Sequence, residues 1–246
     1  MLGHPLAMTS LRRRTAVLAI ALLLSAAACS SGSSQGSSSS DGGSGSSGSS
    51  GATEPAPASG GAATLEDLAL DSSDLADGEQ SVAPADGTTV SDASPTLAFC
   101  QIDLPAEGDR EERHRVQIVD AGFAPLATTE AVRYAPGAAA TAITELRGAF
   151  TDCPADEPVD IGEGELVTYA AVPIDDAELA GLADDHVGAD LTATGADGEV
   201  VESTLVVQRR GDVLIAVEGA DHDQVIALAA SAGERLAAAD AASVGE

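Results

Sequence analysis

From residue 64 onward, apolar and polar positions follow two periods, and these predict the elements of a folded domain. "HRVQIVDAGF" sets Val116 and Ile118 against Gln117, the two-residue period of a half-buried strand. "TTEAVRYA", beyond the "APL" connection, predicts a second strand antiparallel to the first. The period then lengthens. In "PGAAATAITELRGAF", Ile143, Leu146 and Phe150 share one face with Ala139 and Ala142, which predicts a helix ended by Pro154 just past Cys153. "ELVTYAAVPI" returns to alternation, with Val167, Tyr169 and Ala171 opposite Leu166, Ala170 and Val172.

Farther on, "ADLTATGADGEVVESTLVVQRRGDVLIAVEG" predicts a three-stranded meander. Asp197-Gly198 is read as a two-residue hairpin turn, and Gly211-Asp212 as a second turn before the apolar strand Val213 to Val217. A last helix is expected from His222 to about Ala239, capped by Asp221 or Asp223, with Val225, Leu228, Ala232 and Leu236 as its buried stripe. Earlier in the chain, Leu65, Leu68 and Leu75 suggest a short helix or two turns, broken at Asp71 to Ser73. Gly78 to Ser94 is turn-rich and is expected to lead into a strand near Leu97 to Ile102. Together these elements predict a single α+β domain over residues 64–242, a mainly antiparallel sheet packed with a few helices.

The chain ahead of this domain has a different pattern. Arg12, Arg13 and Arg14 precede an uncharged run, Thr15 to Ala28, of fourteen residues. That run is too short to cross a hydrocarbon core about 30 Å thick as a helix. A basic stretch, a short apolar stretch and then small residues is the layout of an export signal. Ala26, Ala27 and Ala28 lead into Cys29, and this stretch resembles the bacterial lipobox, in which the signal is cut before the cysteine and the sulfur is diacylated. Ala26 stands where that motif usually carries leucine. An ordinary signal cut nearby would leave Cys29 incidental, but a Gly/Ser tract beginning directly after the cysteine suits a lipid-anchored protein. Residues 1–28 are therefore expected to be a lipoprotein signal peptide, by either the general or the twin-arginine route. Residues 29–63 are expected to be a disordered tether, too poor in bulky apolar side chains to fold, with a reach of roughly 30 Å.

Charge and cysteine count narrow the function. Every basic residue is arginine, and loss of residues 1–28 leaves eight of them against forty acids, a formal charge of −32. Such a chain repels nucleic acid and anionic lipid, so nucleic-acid partners are excluded. With Cys29 acylated, Cys100 and Cys153 are the remaining thiols, and in an oxidising compartment they are expected to form a disulfide. A metal site is the competing reading, but two isolated cysteines lack the spacing that zinc sites use. No metal or other cofactor is expected.

Several motifs invite sharper readings. Arg210-Gly211-Asp212 resembles an adhesion tripeptide but falls where a hairpin turn is needed. Asp152, Asp156, Glu157, Asp160, Glu163 and Glu165 crowd one segment without the spacing of a calcium loop. His222 between Asp221 and Asp223 could be an oriented catalytic base, or those aspartates could simply favour a helix start. His114 and His186 have no candidate nucleophile near them in sequence, and no hydrolase or phosphate-loop motif occurs. With two Tyr, three Phe and no Trp, stacking platforms for sugars are scarce.

The order of "LEDLALDSSDLADG", "LAFCQI", "LRGAFTDC", "GLADDHVGADL", "VVQRRGDVLIAV" and a closing alanine-rich helix resembles the extracytoplasmic sensor-domain family of actinobacteria. That family is typified by the external domain of mycobacterial serine/threonine protein kinase H and includes lipoproteins. The resemblance implies an α+β fold with a cleft, a strand-to-helix disulfide and a non-catalytic ligand-binding role. The kinase domain has two disulfides, whereas this chain carries cysteines for one. The expectation is thus a lipoprotein held at the extracytoplasmic face of the membrane through Cys29. Its partner would be an unidentified small ligand or, alternatively, an envelope protein that it docks on without a small ligand. No kinase segment follows the domain, so any signal would pass through a separate partner.

Overall fold

The computed structural model describes residues 63–153, 157–162, 164–183 and 185–244, with side chains to residue 239. The expected export signal, Cys29, the expected tether up to residue 62, Pro154, Asp156 and Glu163 lie outside the described residues. The domain is α+β. Its eight strands are β1 (Gln80–Val82), β2 (Arg110–Val119), β3 (Pro125–Tyr134), β4 (Val159–Asp160), β5 (Leu166–Pro173), β6 (Asp185–Gly195), β7 (Val200–Arg210) and β8 (Val213–Gly219). Its helices are α1 (Leu65–Leu68), α2 (Ala138–Asp152) and α3 (His222–Val244).

All eight strands join one antiparallel sheet in the order β1-β2-β3-β8-β7-β6-β5-β4. The chain leaves the middle of the sheet after β3, and α2 carries it to the far edge at β4. It then meanders back until β8 pairs with β3. This route explains why β7 and β8 read as nearly continuous apolar runs: they are central and covered on both faces. Leu205, Val207, Leu214 and Ala216 pack with Ile143, Leu146 and Phe150 of α2. The alternate residues Val206, Ile215 and Val217 pack with Val225, Leu228, Ala232 and Leu236 of α3 and with Leu65 and Leu68 of α1. Burial of each Val, Leu, Ile or Phe among them stabilises the fold by roughly 1.5–3 kcal/mol before ordering costs. Gln208, fully buried among these apolar neighbours, ties the second layer down. Its Nε2 donates to Ala229 O at 2.6 Å, and its Oε1 accepts from Ala183 N at 3.1 Å.

The helix expectations hold in type and face. Asp221 is the cap of α3, accepting from Gln224 N at 2.9 Å, and the buried stripe is the one the spacing gives. Other expectations need correction. Leu97 to Ile102 is not a strand: Pro95 precedes it, and Cys100 and Gln101 turn the backbone with φ of 56° and 54°. Leu97 and Phe99 are apolar because they fill the gap beside α2, where the Phe99 ring meets Phe150 edge-on at 5.3 Å. The turn-rich segment Gly78–Ser94 contains the short edge strand β1. The β6–β7 connection is a three-residue loop, not a two-residue turn. Gly195 N donates to Glu199 O, Gly198 N donates back to Gly195 O, and Gly198 takes a φ of 83°.

The strand β2 begins four residues before the apolar alternation, in a charged stretch whose arginines turn inward. Arg113 and Glu130, on neighbouring strands and nearly buried, pair at 2.9 Å, and Glu130 also accepts from Thr96 Oγ1. Arg110 pairs with Glu107 at 3.3 Å and donates to the carbonyls of Ser91 and Ser94. Arg113 adds bonds to Thr89 O and Ser94 O at 3.2 Å. The Tyr134 hydroxyl donates to Glu107 Oε1 at 2.5 Å. Burial, then the Glu107 charge, pushes that phenol far above its ordinary value, so it stays a donor. These bonds pin residues 89–110 over the end of the sheet. The same segment delivers Cys100 to Cys153, the C-cap of α2, with a Cα separation of 5.9 Å across 53 residues.

Two stability outcomes follow. Cys100→Ser with Cys153→Ser is expected to lower the unfolding free energy by about 2–4 kcal/mol in denaturant titration, the worth of a bridge closing so long a loop. Glu130→Gln is expected to cost about 3–5 kcal/mol, because it strands the Arg113 charge in the interior; a lower denaturant midpoint at unchanged slope would report it.

Candidate functional site: a notch at the open edge of β6

The strand β5 ends before β6 does. Pro173 pairs with Ala189, and Ile174 N donates to Gly188 O at 3.0 Å as the last rung of that ladder. Residues Asp185 to Val187 therefore have β7 on one side and no strand on the other. Between them the chain makes a compact excursion, "IDDAELAGLA". Asp175 O accepts from Glu178 N at 2.9 Å, Leu182 N donates to Leu179 O at 3.2 Å, and Gly181 supplies a φ of 101°. Leu179 and Ala183 bury inward, so the excursion is packed down on the α3 face of the sheet.

This leaves a notch of about 480 Å³ lined by Arg147, Pro173, Ile174, Asp176, Leu179, His186, Val187 and Gly188. Arg147, from α2, donates Nη2 to His186 O at 3.0 Å, taking up a carbonyl on the open strand edge. Its ion pair with Asp185 is 3.7 Å long, and Asp185 is already gripped by Arg209 at 2.7 and 2.8 Å. The His186 Nδ1 lies 2.6 Å from Ala183 O. A carbonyl only accepts, so Nδ1 carries the proton and Nε2 is the ring atom left for a ligand. Ile174, Leu179, Pro173 and Val187 supply apolar wall. Gly188 permits that wall: a Cβ there would stand 3.1 Å from Ile174 Cδ1 and 3.2 Å from Leu179 Cδ1. One guanidinium, one imidazole and the Asp176 carboxylate over apolar surface, in a cavity of this size, can hold a small polar-headed molecule.

His222, the histidine singled out in the sequence, stands at the start of α3 and faces two carboxylates. Its Nδ1 lies 2.7 Å from Asp190 Oδ1, and its Nε2 bonds Glu178 Oε1. Thr204 Oγ1 donates to the same Asp190 oxygen at 2.7 Å. The hydrogen bond to Asp190, then that to Glu178, raises the His222 pKa above its ordinary value. Burial pushes the Asp190 carboxyl up, but the bonds from His222 and Thr204 and the His222 charge outweigh it and hold it below the ordinary range. With both nitrogens occupied, His222 has no lone pair to offer a nucleophile. It acts as a clamp, joining the excursion through Glu178 to β6 through Asp190, two residues from Gly188 in the notch.

The other sequence candidates lie elsewhere. Arg210-Gly211-Asp212 forms the β7–β8 turn, where Asp212 accepts from Gly137 N at 2.8 Å and from Tyr134 N at 2.9 Å, fixing the start of α2. Asp160 of the acidic segment accepts from Gly162 N, and among the described residues no three such side chains gather to hold a metal ion. His114 is half-buried in β2. Sequence reasoning passed over Arg147. Its one available signal was a lone arginine on a helix of alanine, threonine and leucine, in a chain with no lysine.

No family model matches the chain, and no curated protein matches it. Among solved structures, it is similar to the extracellular domain of PknH from Mycobacterium tuberculosis, with 14% identity and a TM-score of 0.44 over 70% of this chain and 95% of that one. No residue of the notch is assigned from that likeness.

The clamp gives the domain a pH dependence of definite sign. His222 titrates higher in the folded chain than in the unfolded one, so its contribution is full below about pH 6.5 and is lost as pH rises through the folded value. The stability difference between the parent and His222→Gln is therefore expected to be largest near pH 6 and to shrink toward pH 9, read as denaturation midpoints of the pair. Half-exposed partners make it salt-sensitive, so 0.5 M NaCl is expected to flatten the trend.

Proposed function

We propose that this chain is an extracytoplasmic lipoprotein, anchored in the membrane through acylated Cys29, whose folded domain binds a small ligand in the β6 notch without turning it over. The notch carries this reading: a half-open cleft of about 480 Å³ joining a half-exposed guanidinium, an imidazole, the Asp176 carboxylate and an apolar wall. The run from Arg12 to Cys29 and the Gly/Ser tract behind it support the anchor, since two acyl chains hold a protein stably where one holds it only reversibly. The engagement of both His222 nitrogens by carboxylates speaks against the one catalytic base the sequence offered.

A second reading is docking on an envelope protein. It is favoured by Leu166 and Val172 on β5 and Val200 on β7, which are 41%, 65% and 53% exposed. Thermal denaturation of the full chain against a panel of metabolites and lipids separates the two: saturable stabilisation by a small molecule supports the notch, and a silent panel supports docking. Turnover of an ester or glycoside would overturn the non-catalytic reading. For the anchor, the parent is expected in the membrane fraction with acyl mass on its amino-terminal peptide, and Cys29→Ser in the soluble fraction without it.

A further inference from the structure

The eleven basic side chains of this protein face forty acids, and the way the folded ones are shared out is uneven. Arg110, Arg113, Arg133, Arg209 and Arg235 each hold a carboxylate oxygen at 3.3 Å or closer. Arg147 does not. It stands 3.7 Å from Asp185 Oδ1, a long pair, while the other Asp185 oxygen, Oδ2, is held by Arg209 through two nitrogens at 2.7 and 2.8 Å. One backbone carbonyl, His186 O, fixes the Arg147 head at 3.0 Å. A guanidinium has five N–H donors in a rigid fork that matches a carboxylate two bonds at a time. In so acidic a chain, a loosely paired arginine at a cavity wall is a charge held available.

We propose that the notch takes a small monocarboxylate with a short aliphatic body, and that Arg147 binds its carboxylate. The proposal deepens the ligand-binding reading and rests on it. The carboxylate meets the Arg147 fork beside His186, whose Nδ1–H is committed to Ala183 O and whose Nε2 faces no described partner. The aliphatic body lies on Ile174, Leu179 and Val187. A single negative charge is selected over several, because the net charge of the chain, Asp176 in the notch wall and Asp185 beside Arg147 all repel polyanions, and Arg147 is the one guanidinium in the lining.

The test is calorimetric titration of the full, acylated chain in detergent micelles with hexanoate, hexylamine and 1-hexanol, repeated with Arg147→Gln in the same micelles so that partition into detergent cancels. Arg147 is half-exposed, and an unchanged denaturation midpoint would show that the variant is folded. Saturable hexanoate binding is expected, with the amine and the alcohol at least tenfold weaker. Arg147→Gln is expected to lose at least tenfold in hexanoate affinity, and Arg147→Lys to fall between. Equal binding of the three probes, or hexanoate binding that Arg147→Gln leaves unchanged, overturns the proposal. Tight binding of hexylamine or hexanol alone sinks the carboxylate assignment and leaves ligand binding standing. Silence from all three also sinks the assignment, and the metabolite and lipid panel then decides the broader reading.

Discussion

A carboxylate and a guanidinium withdrawn from water on adjacent strands set the terms for one end of this domain. Glu130 and Arg113 are each almost fully buried, and neither is tolerable alone in that setting. Apart from Arg113 Nε, which has no hydrogen-bond partner among the described residues, their remaining bonding capacity is met by Thr96, Ser94 and Thr89 from a segment with little regular structure of its own. The irregular chain from 89 to 110 is thus as fixed as a strand would be. It seats Phe99 against Phe150 and brings Cys100 to the end of α2. Charge burial, aromatic packing and the disulfide are successive consequences of one pair.

At the other end of the sheet, the constraint is where pairing stops. The strand β5 gives out at Pro173, and the chain compensates by folding Leu179 and Ala183 onto the face that α3 covers. Two polar ties hold this packing in place. Gln208 reaches from β7 to Ala183 N, and His222 reaches from α3 to Glu178. The notch is the space left over between this tied-down excursion, α2 and the unpaired edge. Its apolar walls are therefore set by the same contacts that stabilise the fold.

Much of this fold was legible in the sequence because its signals are local. The 3.6-residue stripe of Ala139, Ala142, Ile143, Leu146 and Phe150 and the alternation through β7 and β8 depend on neighbours a few residues away. What was not legible depends on partners far along the chain. Arg110 and Arg113 look like a solvated start to a strand until Glu107 and Glu130 are known to lie beside them. Leu97 to Ile102 alternates like a strand, yet its apolar residues answer to α2 rather than to a neighbouring ladder. The notch was hidden for the same reason. Arg147 and His186 are 39 residues apart in sequence and meet because a carbonyl on an open edge needs a donor. The disulfide was the exception among distant contacts, readable because the candidate thiols were so few.

Arg235 grips Asp71 at 2.7 Å, Asp74 at 2.6 Å and the carbonyl of Asp67 at 3.1 Å, fastening the first turns of the domain to its last helix. A mechanical load applied through the chain ahead of residue 63 would therefore not peel those turns away one residue at a time. It would pass through the guanidinium into the long axis of α3 and be resisted in shear by the whole apolar seam beneath that helix, so the end that receives the pull is riveted to the element best able to bear it.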